Sequence, residues 1–471
     1  MARFFREPDR RQRYLLPVDM MEWLPAGDIV HLIVDAVALM DLSSFETAYK
    51  IGKAGQAPFA PRVLLALLIY AYAHGTRSSR AIERLCGRDA GFRFIVGSAV
   101  PDHTVIARFR RRHVDRMRAV FLAVLELCHE AGLVRLGLVA LDGTKVKANA
   151  ALDDNRTARG LEAEIARMLA EAEAVDARED RRFGSRRGDE LPEGLAGAAD
   201  RRARLAACKE KLAPRAAEAA AHQQAKVEAR AAEERATGKR KRGRKPKPPE
   251  AAVDPDAVVN VTDRDSGIMK TRRGWVQGYN AQLVVTRDQI ILAADVTAEA
   301  NDNHQLTVML DQAQANVEAV LGEDAVLGAA VADAGYWSEA NAASETEECE
   351  LLIATRKDRE QRAALRDAPP PRGRMPKGLT ARERMDRKLR TKRGRGLYRQ
   401  RGRTVEPVFG QVKDRQGARR FSMRGTERCR GEWQLDAAVH NLRKLHRESV
   451  RRAEKGGGDA QTGRKTAAGG A

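Results

Sequence analysis

The stretch VALDGTKVKANA, residues 139–150, decides how this chain is read. It continues an apolar run, LGLVAL at 136–141, that is short and unbroken, as expected for a central strand buried on both faces, and the run delivers Asp142. Two other stretches repeat the arrangement. VLGAAVA at 326–332 leads into Asp333 within VADAGYW at 331–337, a second buried strand that ends in aspartate. In YRQRGRTVEPVFGQVK at 398–413, Pro407 is tolerated only in a first helical turn, which sets Glu406 at a helix start, with Gly417 ending the helix. On a helical wheel Val405, Val408, Phe409 and Val412 gather on a core side, while Glu406, Gly410 and Lys413 share another. Gly410 leaves room for a close approach, and Lys413 can reach a phosphate that a metal on Glu406 also touches.

Taken singly, Asp142 and Asp333 also read as capping residues after strands, and Glu406 as a complement to a helix dipole. Together they suit a pair of divalent ions about 3.5–4 Å apart, the arrangement that activates water and stabilises the leaving oxygen of a phosphodiester. Hard, oxygen-ligated Mg2+ fits such ligands, with Mn2+ as a substitute. Lys145 and Lys147 just after Asp142 read equally as contacts to a nucleic-acid backbone and as solvated loop lysines. TDRDS at 262–266 and NDNH at 301–304 read as turns, outside the three acids and in support of them at most.

Charge points the same way. Lys plus Arg number 85 against 65 Asp plus Glu, a net +20, which in a globular chain of 471 residues and 43% hydrophobic content directs attention to a polyanion. Aromatic residues make up only 5%, which disfavours a platform that stacks single-stranded bases and favours contacts to duplex phosphates. The five cysteines are odd in number, widely spaced and free of any CxxC pair, so neither a zinc site nor a disulfide framework is indicated. The longest apolar stretch, VLLALLIYAYA at 63–73, is too short to span a bilayer, and a cytoplasmic protein, on the nucleoid when bound to DNA, is expected.

Residues 14–133 read as helical. SSRAIERLC at 78–86 and PDHTVIARFRRRH at 101–113 carry N-cap signals and make a helix-turn-helix pair conceivable, with Arg108 and Arg111 on a basic face that is either DNA-facing or merely solvated. After the first strand, Leu161, Ile165, Met168, Ala172 and Val175, then Leu205, Cys208 and Leu212 beyond a Gly-rich break at 184–197, predict an antiparallel helical hairpin. TGKRKRGRKPKPPE at 237–250 follows as an extended basic linker whose RGRKPK core has the composition of a minor-groove arm. GYNAQLVVT at 278–286 and QIILAADVT at 289–297 predict two antiparallel strands, then a helix from about His304, the strand before Asp333, a helix capped by Ser338 and a last strand, LLIAT at 351–355. Residues 356–396, rich in Arg, Lys, Pro and Gly, read as a mobile basic connector, and the Gly-rich tail 447–471 as disordered.

The segments LDGTKVKANA, ADAGYW and YRQRGRTVEPVFGQVK resemble the signature of the DDE transposases of bacterial insertion sequences, and PDHTVIARFR resembles the helical region that precedes their catalytic domain. The likeness covers most of residues 1–446. It implies an α/β fold, with a ribonuclease H-like catalytic domain at 134–446, a helical insertion at 151–257 and an all-α N-terminal DNA-binding domain at 1–133. It implies Asp142, Asp333 and Glu406 as a metal-binding catalytic triad using two Mg2+ ions, with Tyr398, Arg401 and Lys413 as accompanying DNA-binding residues. Four residues separate Arg401 from Glu406 where a related signature has three. The implied activity is binding of element ends, cleavage of double-stranded DNA and strand transfer to target DNA, by a homodimer on DNA. A ribonuclease H-like nuclease of repair or defence, or a DNA-binding protein without catalysis, are the rival readings.

Overall fold

The strand that carries Asp142 is the hinge of the architecture. In chain order the strands are β1 (Val139–Lys147), β2 (Asn155–Thr157), β3 (Val258–Asn260), β4 (Gly267–Thr271), β5 (Gly274–Thr286), β6 (Ile291–Thr297), β7 (Gly328–Ala332) and β8 (Cys349–Ile353). The computed structural model describes residues 20–22, 24–49, 58–97, 99–167, 193–238, 240–241, 245–248, 254–271 and 274–466. Six of these strands form one mixed sheet in the order β4-β5-β1-β7-β8, with β6 also paired to β5. β5 runs antiparallel to β1, β4 and β6, whereas β7 runs parallel to β1 and β8 parallel to β7. β4 and β6 lie in line along the outer edge of β5, β4 beside Gly274–Gly278 and β6 beside Asn280–Val285.

β1 does not stop at Asp142, as the apolar run alone predicts. Its parallel pairing with β7 ends at Leu141, opposite Ala332, but its pairing with β5 continues to Lys147, opposite Gly278. The polar half, DGTKVK, is held because β5 is long enough to satisfy its backbone, a partner that the residues of β1 cannot announce.

One apolar core joins the sheet to the helical region before it. The final helix, Thr426–Thr466, packs on the helix Met117–Glu130, on β6 and on the helix Pro61–Ala73. Asn441 on that helix serves the outer edge of β6: Ile291 N–H donates to its Oδ1 and its Nδ2 donates to the Ile291 carbonyl, both at 2.9 Å. Trp433 is fully buried and its Nε1 donates to the Gln282 carbonyl of β5 at 3.0 Å. Arg77 of the helical region reaches the same helix, donating to both oxygens of Asp436 at 2.9 and 2.7 Å and to Glu432 at 3.2 Å. Buried in this way, the three charges are costly to separate.

Several expectations need correction. The helices Ser79–Cys86 and His103–Arg112 are not joined by a tight turn, because Ala90–Val96 is a helix between them. Asp89 caps it by accepting from Gly91 and Phe92 N–H, and Phe92, Ile95 and Val96 are buried. In the insertion, Glu193–Thr237 is one long helix that passes through Pro214, and β2 and β3 form a small second sheet on which Leu161, Leu205, Cys208 and Leu212 pack. Met168, Ala172, Val175 and part of RGRKPK lie outside the described residues. The stretch 356–396 is not an unstructured connector: it holds the helices Asp358–Asp367 and Ala381–Arg390 and most of Lys392–Tyr398. Arg, Lys, Glu and Ala are good helix formers, a Thr380–Glu383 capping box starts the second helix, and Met385 and Leu389 bury one face of it. The final helix also runs on past 446, aided by Glu448 pairing with Arg451 and Arg452.

Candidate active site

Sheet pairing sets the first two acids. Leu141 and Ala332 are the last partners of the parallel pair β1 and β7, so Asp142 and Asp333, the next residue on each, stand at the same level. Asp142 Oδ1 accepts from Gly143 N–H at 2.8 Å, and Asp333 caps the single turn Ala334–Tyr336 by accepting from Gly335 N–H at 2.8 Å. Burial pushes the Asp142 carboxyl up to about 7 against the pull of the Arg401 guanidinium, and Asp333 adds to the push.

Glu406 arrives by another route. The helices Lys392–Tyr398, Arg401–Thr404 and Glu406–Gly410 follow one another almost without interruption, with Pro407 in the first turn of the last, and a π-helical turn, Gln411–Arg415, closes the series. Val405, Val408 and Val412 are buried against the core, which leaves the Glu406 side chain 53% exposed. Arg401 stands between the two routes with its side chain 6% exposed: Nη1 donates to Asp142 Oδ2 at 2.9 Å and Nη2 lies 3.8 Å from Glu406 Oε1. The helical segment is thereby tied to the sheet through opposite charge.

Lys413 faces β1 directly. Its Nζ donates to Thr144 Oγ1 and, at 3.0 Å, to the Lys145 carbonyl, and burial brings its ammonium down to about 8. In this structure it clamps the turn after Glu406 onto β1. Tyr398 is buried and lines a cavity beside Glu406 whose wall includes Arg362, Arg366, Arg395, Arg399, Arg401 and Arg403. So many guanidinium groups around one cavity make a surface for phosphate oxygens.

Lys145 and Lys147 part company. Lys145 points into the site, where Nζ donates to the Ala300 carbonyl at 2.6 Å and lies 3.7 Å from Asp302 Oδ1, whereas Lys147 is exposed and contributes its backbone to the segment Arg419–Phe421. Arg108 and Arg111 are exposed on the helix His103–Arg112, and Arg110 turns inward to Tyr72 and the Arg77 carbonyl.

Asp302 is the acid that sequence reading set aside. Its Oδ1 accepts from Asn280 Nδ2 at 2.6 Å and from Gln282 Nε2 at 2.8 Å. A Cβ on Gly335 would lie 3.0 Å from Asp333 Oδ1 and 3.2 Å from Asp302 Oδ2, so the two carboxylates flank one glycine. Beneath them the Tyr336 hydroxyl donates to Gln282 Oε1, and burial, then the charges of Asp302, Asp142 and Asp333, hold its proton far above the usual range. NDNH carries no local sign of this role beyond its turn composition; the placement is created by β5, which supplies Asn280 and Gln282 on one face.

Against this geometry the family comparisons are informative. Residues 18–112 match the family described as Transposase domain (DUF772), and residues 375–446, which include Tyr398, Arg401, Glu406 and Lys413, match the Transposase DDE domain. Both matched families are transposase domains, and together they support a DDE transposase of the insertion-sequence type. No curated protein and no solved structure is significantly similar to the chain. Among the described residues no helix is long and apolar enough to cross a membrane.

Proposed function

We propose that this transposase binds the ends of its element, cuts double-stranded DNA there and joins the freed ends to target DNA, with Asp142, Asp333 and Glu406 as the catalytic carboxylates. The observation that carries this reading is that Asp142, level with Asp333 on the neighbouring strand's exit, is joined to the helix-borne Glu406 through one buried arginine, Arg401, beside an arginine-walled cavity. The strand order, with three antiparallel strands followed by two parallel ones, supports a ribonuclease H-like catalytic domain. Within this reading residues 1–133 form the DNA-binding domain and 134–446 the catalytic domain, interrupted by the insertion at 151–257.

DDE transposases generally use divalent metals, and the donor set here fits one. Asp142, Asp333 and Glu406 offer only carboxylate oxygens, and Asn280 Oδ1 close by is buried without a hydrogen-bond partner among the described residues. When bound to these acids, Mg2+ would acidify water and neutralise charge developing on the phosphodiester. The protein's own groups supply the rest. Arg401 keeps Asp142 and Glu406 in register, and Arg362, Arg395, Arg399 and Arg403, with Tyr398, hold the DNA backbone in line with the acids. Water, and afterwards the freed 3′ hydroxyl, attacks phosphorus from the side opposite the leaving oxygen. Lys145, Lys147 and Lys413 offer further phosphate contacts once Lys413 releases Thr144, and Arg108 and Arg111 contact DNA outside the catalytic domain. A homodimer that brings two element ends together completes the reading.

The test is Mg2+-dependent cleavage and joining of DNA bearing the flanking element ends, wild type against Glu406→Gln. Joined product should fall roughly 10^3-fold or more with DNA binding retained. Cleavage without joining in the wild type would identify a nuclease, and equal activity in the two proteins would dismiss the site.

A further inference from the structure

We propose that His222, Glu299 and His304 form a second cation site, of the transition-metal kind, that fastens the long insertion helix to the loop carrying Asp302. One donor atom of each residue lies within 4.8 Å of those of the other two. His222 comes from the helix Glu193–Thr237, and its ring meets that of His304 edge to face with centroids 4.8 Å apart at 72°. His304 Nδ1 lies 3.1 Å from Glu299 Oε2, and Gln305 Nε2 donates to the same oxygen at 3.4 Å.

Two imidazoles and one carboxylate differ in kind from the all-oxygen set of Asp142, Asp333 and Glu406. Nitrogen donors select Zn2+ and its first-row neighbours over Mg2+, and three protein ligands leave a fourth position for water. His222 and His304 are exposed, so the site is open to an ion from solution. Packing alone gives little reason for the meeting, since an exposed His–Glu pair stabilises a fold by only about 0–1 kcal/mol.

The position gives the ion a consequence. Glu299 and His304 bracket the loop from which the Ala300 carbonyl accepts from Lys145 and Asp302 accepts from Asn280 and Gln282. A bound ion fixes both ends of that loop and ties them to a helix otherwise anchored by Leu205, Cys208 and Leu212 and by Lys211 to Asp265.

The experiment uses the full chain without a polyhistidine tag, stripped with chelator and titrated with Co2+ and then Zn2+ in excess Mg2+. Wild type and Asp142→Asn should both develop the visible absorption of tetrahedral Co2+ and lose it to Zn2+. His222→Ala and His304→Ala should not, while keeping the wild-type circular dichroism. Absence of Co2+ absorption in the wild type, or its persistence in both histidine variants, overturns the proposal. So does its loss in Asp142→Asn, which would place the ion among the acids instead.

Discussion

Asp142 sits on β1 and Asp333 directly follows β7, whereas Glu406 sits on a chain of short helices; the two regions hold their acids by different means. Asp142 is fixed by backbone pairing to Leu283 of β5, and Asp333 follows the last paired residue of β7 and caps the turn after it. Glu406 has its backbone held by buried valines, but its half-exposed carboxylate is steered by Arg401 and by Arg362 at 3.8 Å. The contrast teaches that register places one half of the site and charge places the other.

The sharpest way to break this contrast is Arg401→Met, which removes the steering group and keeps an apolar body in the buried position. Cleavage is expected to fall about 10^2- to 10^3-fold, because a catalytic group displaced by an ångström loses that much. Mn2+ titration should still show an ion held by the strand acids. If the variant cleaves as well as the wild type, Arg401 does not position Glu406.

Two glycines compare the regions directly. A Cβ on Gly143 would lie 2.3 Å from Gln282 Nε2 and 2.6 Å from Asp302 Oδ1, whereas one on Gly410 meets nothing within 4 Å. Gly143→Ala should therefore cost about 1–3 kcal/mol in denaturant unfolding. Gly410→Ala should be neutral or stabilise by up to about 1 kcal/mol, since alanine favours a helix. If Gly410 does give DNA a close approach, the same variant will fold normally and bind DNA more weakly. Equal stability of the two variants would contradict the tight packing around Gly143.

The smallest effect concerns pH. With its carboxyl raised from 3.8 to about 7, Asp142 stabilises the folded chain fully below its unfolded value, and that contribution is lost as pH rises through about 7. A bound cation reverses the preference, because it needs the ionised form. Mn2+ affinity measured by calorimetry should weaken about tenfold per unit below pH 7. A flat profile between pH 5.5 and 7 would show that Asp142 is already ionised there.

The same division explains what could be read from residues alone. Buried strands announce themselves by apolar runs, so β5, β6, β7 and β8 were legible, and Pro407 marked the start of the helix at Glu406. The polar half of β1 was not, because its regularity depends on a partner about 130 residues away. Asp302 was hidden for the same reason: a turn sequence acquires its meaning from Asn280 and Gln282 on another strand. The helices between 358 and 398 were hidden differently. Their charge drew attention from a legible capping box at Thr380 and from the spacing of Met385 and Leu389.

The side-chain amide of Asn441 imitates a neighbouring strand for Ile291, occupying both the N–H and the carbonyl of that residue. An open edge of this kind is where sheets of separate molecules zip together. By laying the final helix along it, the chain covers that edge at Ile291 with its own side chain.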